Sequence, residues 1–415
     1  MASLGWIFFS REHRNRIGSV LDLLKPEGMV DELGIGTIRN ALADEMFPGI
    51  STIQTRARYF FIVPYILYEY QLLKPAQRKN RTPLKYLETR EYEIMWKLAE
   101  QYNYEEGNGV IGITKRKPNK IARRPSTIYW NGIYTYKFIE TRGLSMDAFL
   151  KKNTSATIES LLSATQQGDD ESTDDADAEY ENRYGLKVRP KPGWAENPTL
   201  DLRKNEAEIF RDRIISVAKN KLIAELLINE QLWQQFMADK YFMDFARNTQ
   251  AVQLPDDIKK MLILAHDFSE LMLGAHIAYN CQLQHKVFAG DFFDKEWDAW
   301  LEGIQTKMLD YKNFNPEVLF GFLKTTREKT KHFVREWWEL TRGGFPDLKK
   351  RDVIIQAQEE RVKGNKARLR WNKTDDVKEK TWIGLKHLSY RYSNASTILK
   401  DIKTGLLNDY ATPEE

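Results

Sequence analysis

The 415-residue sequence contains only one cysteine, Cys281. A single cysteine excludes an intramolecular disulfide and is typical of proteins from a reducing compartment. No apolar run is long enough to span a membrane, because the best candidate, residues 60–67, is interrupted by Pro64. The N-terminal apolar stretch is too short for a signal peptide and lacks a basic lead. The sequence therefore predicts a soluble cytoplasmic protein with no membrane partner.

Catalytic signatures are also scarce. The sequence has no GxxxxGK[ST] loop, GxSxG elbow, HExxH motif or CxxC pair, so a P-loop ATPase and the common hydrolase and zinc-site patterns are not expected. The glycines at 107, 109 and 112 match GxGxxG as a string. No strand–turn–helix unit surrounds them, so dinucleotide binding is not predicted and no cofactor is expected.

The basic segment 115–125 is the most informative feature that is present. Its eleven residues contain six positive charges and no acid, and they follow three glycines. An aromatic segment, 129–136, comes next and is predicted to be helical. Dense positive charge beside aromatic rings suits the phosphates and bases of nucleic acid. We therefore predict a nucleic-acid-binding loop with the cations Lys115, Arg116, Lys117, Lys120, Arg123 and Arg124.

Charge is distributed unevenly along the chain. The net charge is +4, yet segment 169–181 alone carries eight acids and no base. The remaining 63 basic and 51 acidic residues give the rest of the chain a net charge of +12. Polar, acidic and Pro-rich composition disfavours packing. We therefore predict a disordered linker over 153–198, between an N-terminal lobe, 1–152, and a C-terminal lobe, 199–415.

Two interpretations of this linker remain open. It is either a solubilising surface segment or an intramolecular polyanion that competes with nucleic acid for the basic surface. For the basic segment 115–125, the alternative interpretation is a solvated loop that balances the charge of the acidic linker.

Apolar residues recur mainly with a helical period, and strand signals are few. The one β-branched patch, 353–355, lies inside a charged helical window. Thr82-Pro83 is typical of a helix start, and a long helix is predicted over 256–284. The fold class is therefore mainly α.

The N-terminal lobe is predicted to contain a three-helix unit resembling a helix-turn-helix. A helix capped by Ser51 or Thr52 would then be its recognition helix, carrying Gln54, Arg56 and Arg58. Free backbone N–H groups and guanidinium groups at such a helix start form an anion site. Because the two arginines are two residues apart, they point in different directions, and internal salt bridges are an equal alternative.

A second basic stretch runs from Arg361 to Lys373 without an acid and includes Trp371. Its helical spacing predicts a phosphate-tracking surface on the C-terminal lobe, with Arg368 and Arg370 as the principal cations. A solvated helix face is the alternative interpretation.

An enzymatic alternative is carried by Arg327 and His332. Their Arg-x4-His spacing is that of a family of helical ribonucleases, in which the histidine acts as acid and base and the arginine binds the scissile phosphate. About one such match is expected by chance in a chain of this composition. The i, i+4 pairs His266/Glu270 and Cys281/His285 could place two metal ligands on one helix face. Core or boundary side chains are the expected reading there, and no metal site is predicted.

Five segments resemble a bacterial protein family of unknown function. They are MASLGWI (1–7), VDELGIGTIR (30–39), FPGISTIQTRARYF (47–60), PSTIYWNG (125–132) and LKDIKTGL (399–406). The resemblance covers most of the chain but not the acidic segment, and it carries no catalytic residues. It implies a component of bacterial anti-phage or genome-defence loci, encoded beside helicases and phospholipase-D-like nucleases.

Together these observations predict a non-enzymatic nucleic-acid-binding accessory or adaptor subunit of a defence complex. DNA is expected as the ligand in preference to RNA, and a helicase or nuclease subunit as the protein partner. The alternatives are the helical ribonuclease and a protein–protein scaffold without nucleic-acid affinity.

Overall fold

The computed structural model describes residues 30–78, 81–141, 143–152, 190–288, 290–306, 314–323, 327–372, 374 and 377–407. Over these ranges the chain forms α-helices and two short 3-10 helices, with no β-strand. The predicted mainly α class is therefore confirmed. The predicted linker is described only over 190–198, and its acidic segment lies outside the described residues.

In chain order the helices are α1 (Gly36–Met46), α2 (Tyr59–Leu72), α3 (Pro75–Arg78), α4 (Pro83–Gln101), α5 (Pro125–Thr135), α6 (Met146–Lys152), α7 (Lys204–Val217), α8 (Leu222–Ile228), α9 (Glu230–Ala238), α10 (Phe242–Asn248), α11 (Asp256–Val287), α12 (Phe292–Thr306), α13 (Pro316–Gly321), α14 (Glu328–Arg342), α15 (Leu348–Lys363), α16 (Arg368–Trp371) and α17 (Tyr392–Leu407). Several of these helices were predicted from the sequence. Thr82 accepts a hydrogen bond from the Lys85 N–H at the start of α4, and α11 contains the predicted long helix.

These helices belong to two compact units. The first unit comprises Met1–Leu42, Phe242–Gln250 and Lys259–Tyr390, and the second comprises Ala43–Tyr241, Ala251–Ile258 and Arg391–Glu415. Each unit thus draws on separate stretches of the chain, whereas the sequence predicts two consecutive lobes.

The second unit is built around α2. Residues 59–67 of this helix are all buried, as expected for a helix that is apolar on every side. Helices α4 and α5 pack against it, and α7 packs against the C-terminal helix α17. Phe60 and Phe210 lie at the centre, with their ring centroids 4.7 Å apart. The pairing of α7 with α17 brings residues near 205 and 400 together within this unit.

The first unit has a core rich in tryptophan. Trp297, Trp300, Trp337 and Phe345 form a cluster in which the ring centroids of Trp297 and Trp300 are 5.0 Å apart. The indole N–H of Trp337 donates to the carbonyl of Leu271, 2.9 Å away. Buried indoles require such an acceptor. The tryptophans of α12 and α14 therefore anchor the core around α11.

One helix among the described residues, α11, is long and apolar enough to meet the length and composition criteria for a membrane span. However, 83% of its most apolar window is buried inside the protein. This burial is what the core helix of a soluble protein shows.

Close packing of α5 on α2 requires a glycine at position 132. A Cβ there would lie 2.5 Å from Cε1 of Phe60 and 2.6 Å from the carbonyl oxygen of Gly49. We expect Gly132→Ala to lower the free energy of unfolding by about 1–3 kcal/mol, because the added methyl overpacks this contact. Thermal denaturation followed by circular dichroism measures the effect.

Gly303→Ala is the matched control. Nothing lies within 4 Å of a Cβ built at Gly303, inside α12, so the alanine gains helix propensity of up to ~1 kcal/mol. An unchanged melting profile in Gly132→Ala would contradict the packing argument.

Candidate nucleic-acid interface

The basic loop (residues 102–124) connects α4 to α5 in the second unit. Two hydrogen bonds fix the first half of this loop. The Thr55 hydroxyl donates to the carbonyl of Gly109, 2.6 Å away, and the Ile111 N–H donates to the Tyr59 hydroxyl. Gly109 has φ +89°, and a Cβ there would lie 2.6 Å from Cγ of Arg56, so the position requires glycine. The second half, which carries the cations, lies at the surface.

Five of the six predicted cations are exposed: Lys115, Arg116, Lys117, Lys120 and Arg123. Lys120 has one long ion pair, 3.8 Å from Glu88. Among the described residues, no carboxylate forms a salt bridge with the other four. Over the residues that the structure describes, the basic loop therefore presents four cations that no salt bridge neutralises.

Aromatic rings support three of these cations, and they are not the rings that the sequence predicts. The guanidinium of Arg116 lies 4.5 Å from the ring centroid of Tyr104. The ammonium groups of Lys117 and Lys120 lie 5.6 Å and 5.5 Å from the rings of Trp96 and Tyr92. These two rings stack on each other one helical turn apart on α4. Cation–π contacts of this length hold a cation while leaving its outer side hydrated.

The predicted aromatic segment has a different role. Tyr129 and Tyr136 are fully buried and contact Phe60 in the core. Trp130 is half-buried, and Tyr134 is 46% exposed. The i, i+4 spacing of Tyr92 and Trp96 was visible in the sequence, but nothing there indicates that the loop returns over α4.

Arg124, at the end of the basic loop, forms an ion pair with a buried carboxylate. Glu91 on α4 is fully buried; it accepts hydrogen bonds from the N–H and the hydroxyl of Ser126 and lies 3.4 Å from Nη1 of Arg124. Burial raises the pKa of Glu91 from 4.5 to about 7, although the Ser126 N–H and Arg124 act in the opposite direction. Arg124 thus anchors the loop, whereas the other five cations face solvent.

Arg56 and Arg58 do not lie on a recognition helix, and this prediction is wrong. Helix α2 begins only at Tyr59. The preceding backbone is held in another conformation, because the N–H groups of Thr55 and Arg56 donate to the Tyr129 hydroxyl. Gln54 folds back on its own turn and donates to the carbonyl of Gly49. These contacts use the N–H groups that an earlier helix start would need.

Both arginines are engaged in ion pairs within the second unit. Nε of Arg56 lies 2.9 Å from Asp401, and its Nη2 lies 3.0 Å from Asp201. Arg58 is almost completely buried and pairs with Glu206, which also accepts from the Tyr65 hydroxyl. Burial lowers the pKa of Arg58 to about 10, so it stays charged at neutral pH. Arg58 is therefore not available to phosphate.

The second basic stretch, in the first unit, is neutralised in part. Arg370 pairs with Glu360 and lies over the ring of Trp371, which is 49% exposed. Lys363 lies 3.0 Å from Glu32. Arg368, although half-buried, also has an interaction partner. Lys363 and Arg370 are thus paired with carboxylates, whereas Arg361 is exposed and, among the described residues, forms no salt bridge.

The predicted ribonuclease pair lies at the start of α14. Arg327 and His332 are both exposed, and the His332 ring lies 3.4 Å from Glu336. Among the described residues, no three His, Cys, Asp or Glu side chains converge as metal ligands do.

The buried Glu91 makes stability depend on pH. Its pKa of about 7 exceeds the ordinary 4.5, so between these values the folded chain holds a proton that the unfolded chain releases. The stability contribution is full below about pH 4.5 and is lost as the pH rises through about 7. We expect the free energy of unfolding to fall by about 2–3 kcal/mol from pH 5 to 8, and this slope to be absent in Glu91→Gln. Urea denaturation at four pH values measures it.

The exposed Glu105→Gln variant, in the same loop, is the control and should keep the wild-type slope. Identical slopes in wild type and Glu91→Gln would show that Glu91 does not titrate in this range.

Comparison with known proteins agrees with the resemblance seen in the sequence. Residues 1–405 match a protein family described as a family of unknown function, DUF6361. No curated protein and no solved structure gives a significant match. Three of the resembling segments, 47–60, 125–132 and 399–406, meet in the second unit where Arg56 contacts Asp401 and Tyr129 contacts the Thr55 N–H. Because the match spans nearly the whole sequence, the chain belongs to the DUF6361 family.

Proposed function

We propose that this protein is a non-enzymatic nucleic-acid-binding subunit that captures the phosphate backbone through the basic loop. The observation that carries the proposal is the contrast between cations that are paired and cations that are not. Arg56, Arg58 and Arg370 are neutralised by carboxylates. By contrast, Lys115 and Arg123 are exposed, and among the described residues neither forms a salt bridge. Unpaired surface cations are the groups that release counterions when they bind phosphate.

The aromatic rings beneath the basic loop favour backbone binding over base recognition. Tyr92 is buried, and Trp96 and Tyr104 are half-buried under the cations. Bases stack on open ring faces, whereas these faces are occupied by Lys120, Lys117 and Arg116. Binding through this loop is therefore expected to depend weakly on sequence.

In this proposal the protein serves as an accessory or adaptor subunit of a bacterial anti-phage complex. The family resemblance supports that setting, with DNA as the expected ligand and a helicase or nuclease as the partner that supplies catalysis. Arg56 serves as a secondary phosphate contact through the N–H groups that do not bind Asp401. The second basic stretch, including Arg368 and Arg370, contributes less because Lys363 and Arg370 are paired with carboxylates.

Charge reversal of the basic loop tests the proposal. We expect the double variant Lys115→Glu/Arg123→Glu to weaken binding to a labelled 30-base-pair duplex by about 100-fold or more at low salt, because two phosphate contacts become repulsive. In the wild type, log affinity should fall with log salt with a slope no steeper than about −5, the limit for five cations on duplex DNA. Fluorescence anisotropy across a salt series measures both quantities.

Lys349→Glu/Lys350→Glu is the matched control. It makes the same change in net charge at exposed positions near the start of α15, where negative charge is favourable to the helix. Equal affinity in both double variants, or no binding by the wild type at low salt, would overturn the proposal in favour of a protein scaffold. Metal-free RNA cleavage that is lost in His332→Ala would establish the ribonuclease instead.

A further inference from the structure

A polar cleft of about 530 Å³ lies beside Arg56, entirely within the second unit. Its volume is in the ~300–1,000 Å³ range of small-molecule sites. One wall is the outer face of α17, with the side chains of Lys400, Thr397 and Thr404. The cleft is also lined by Gly107 and Asn108 from the start of the basic loop and by Asp201 from the segment before α7.

The inner side of Arg56 is fixed by the protein. Its Nε–H donates to both oxygens of the Asp401 carboxylate, 3.1 and 2.9 Å away, and Nη1 donates to the carbonyl of Asn108. Asp401 is 11% exposed and also accepts from the Ala57 N–H, 2.8 Å away. The guanidinium plane is therefore oriented before any ligand arrives.

The outer side of Arg56 is held much more weakly. Nη2 donates to Asp201, whose side chain is 68% exposed. An ion pair so open to water contributes little stabilisation. Lys400, on the same cleft, is exposed, and among the described residues it forms no salt bridge. Arg56 and Lys400 thus both present N–H donors to the cleft. The Arg56 donor is paired there with the Asp201 carboxylate, which a ligand can displace.

We propose that this cleft binds a phosphate monoester, which replaces Asp201 on the outer N–H groups of Arg56 and takes a second contact from Lys400. A phosphate monoester carries a charge of about −1.5 to −2 and three strong acceptor oxygens, so it outcompetes a single carboxylate for a guanidinium edge. The Thr404 hydroxyl, on the same face of α17, supplies a further donor. This site does not require the basic loop to bind nucleic acid.

The phosphate monoester has two possible sources, a free nucleotide or the phosphorylated end of a nucleic-acid strand. The cleft and the exposed cations belong to the same loop. The ring of Tyr104, which contacts the guanidinium of Arg116, is only three residues before the cleft residue Gly107. Both sources present the same chemical group, so they are separated by experiment.

The test is calorimetric titration of the full chain with adenosine 5′-monophosphate, inorganic phosphate and adenosine. We expect the two phosphates to bind and adenosine not to bind. Lys400→Gln should weaken binding by about tenfold or more, through loss of a charged hydrogen bond, while Lys219→Gln, an exposed control in the same unit, should not. Asp201→Asn should tighten binding by about two- to fivefold, because the competing carboxylate is neutralised. Misfolding cannot produce a gain of this kind.

Equal binding of adenosine and its monophosphate, or weaker phosphate binding in Asp201→Asn, would overturn the proposal. A 5′-phosphorylated oligonucleotide that binds more tightly than its 5′-hydroxyl counterpart, with the difference lost in Lys400→Gln, identifies a strand end as the ligand. Monophosphate binding without that difference identifies a free nucleotide. Lys115→Glu/Arg123→Glu should leave monophosphate binding unchanged, so failure of the basic loop and failure of the cleft are distinguishable.

Discussion

The second unit depends on two arginines, Arg56 and Arg58, that lie in one short segment before α2 and form ion pairs with distant helices. Arg58 pairs with Glu206 at the start of α7, and Arg56 with Asp401 on α17. These carboxylates lie 148 and 345 residues away in the sequence. Removing one partner of the buried Arg58–Glu206 pair is expected to cost about 3–5 kcal/mol, because the remaining charge would stay desolvated. The segment thereby links the first helices of the unit to its last.

The internal ion pairs of the two arginines were one of two alternatives left open by the sequence, whereas the predicted helix start at Ser51 or Thr52 was wrong. Ser51 and Thr52 are good helix caps, and local rules favour a helix from there. The Tyr129 hydroxyl and the Asp401 carboxylate instead take the N–H groups of residues 55–57. Both partners are distant in sequence, so no local pattern reveals them. By contrast, the helix start at Thr82-Pro83 and the long helix α11 depend on neighbouring residues and were predicted correctly.

The sequence was enough to locate the cations of the candidate interface, but not to identify the side chains that surround them. An acid-free run such as 115–125 is recognisable in any sequence, and its exposure follows from its composition. Whether a cation remains unpaired depends on which carboxylates the fold brings near it. The second basic stretch shows the difference, because Glu32 and Glu360 neutralise Lys363 and Arg370. Basic composition therefore indicates candidate surfaces, and only the three-dimensional arrangement distinguishes a binding surface from a salt-bridged one.

The contacts that hold the basic loop would also prepare it for the proposed phosphate ligand. Long cationic side chains lose rotamer entropy when they bind phosphate, at about 0.5–1.5 kcal/mol each. Arg116, Lys117 and Lys120 already rest on aromatic rings, and Arg124 fixes the end of the loop on Glu91. Part of that entropy is therefore lost on folding instead of on binding. A carboxylate at each cation would order the loop equally well but would remove the charge, so support by aromatic rings reconciles a defined loop with an unpaired positive surface.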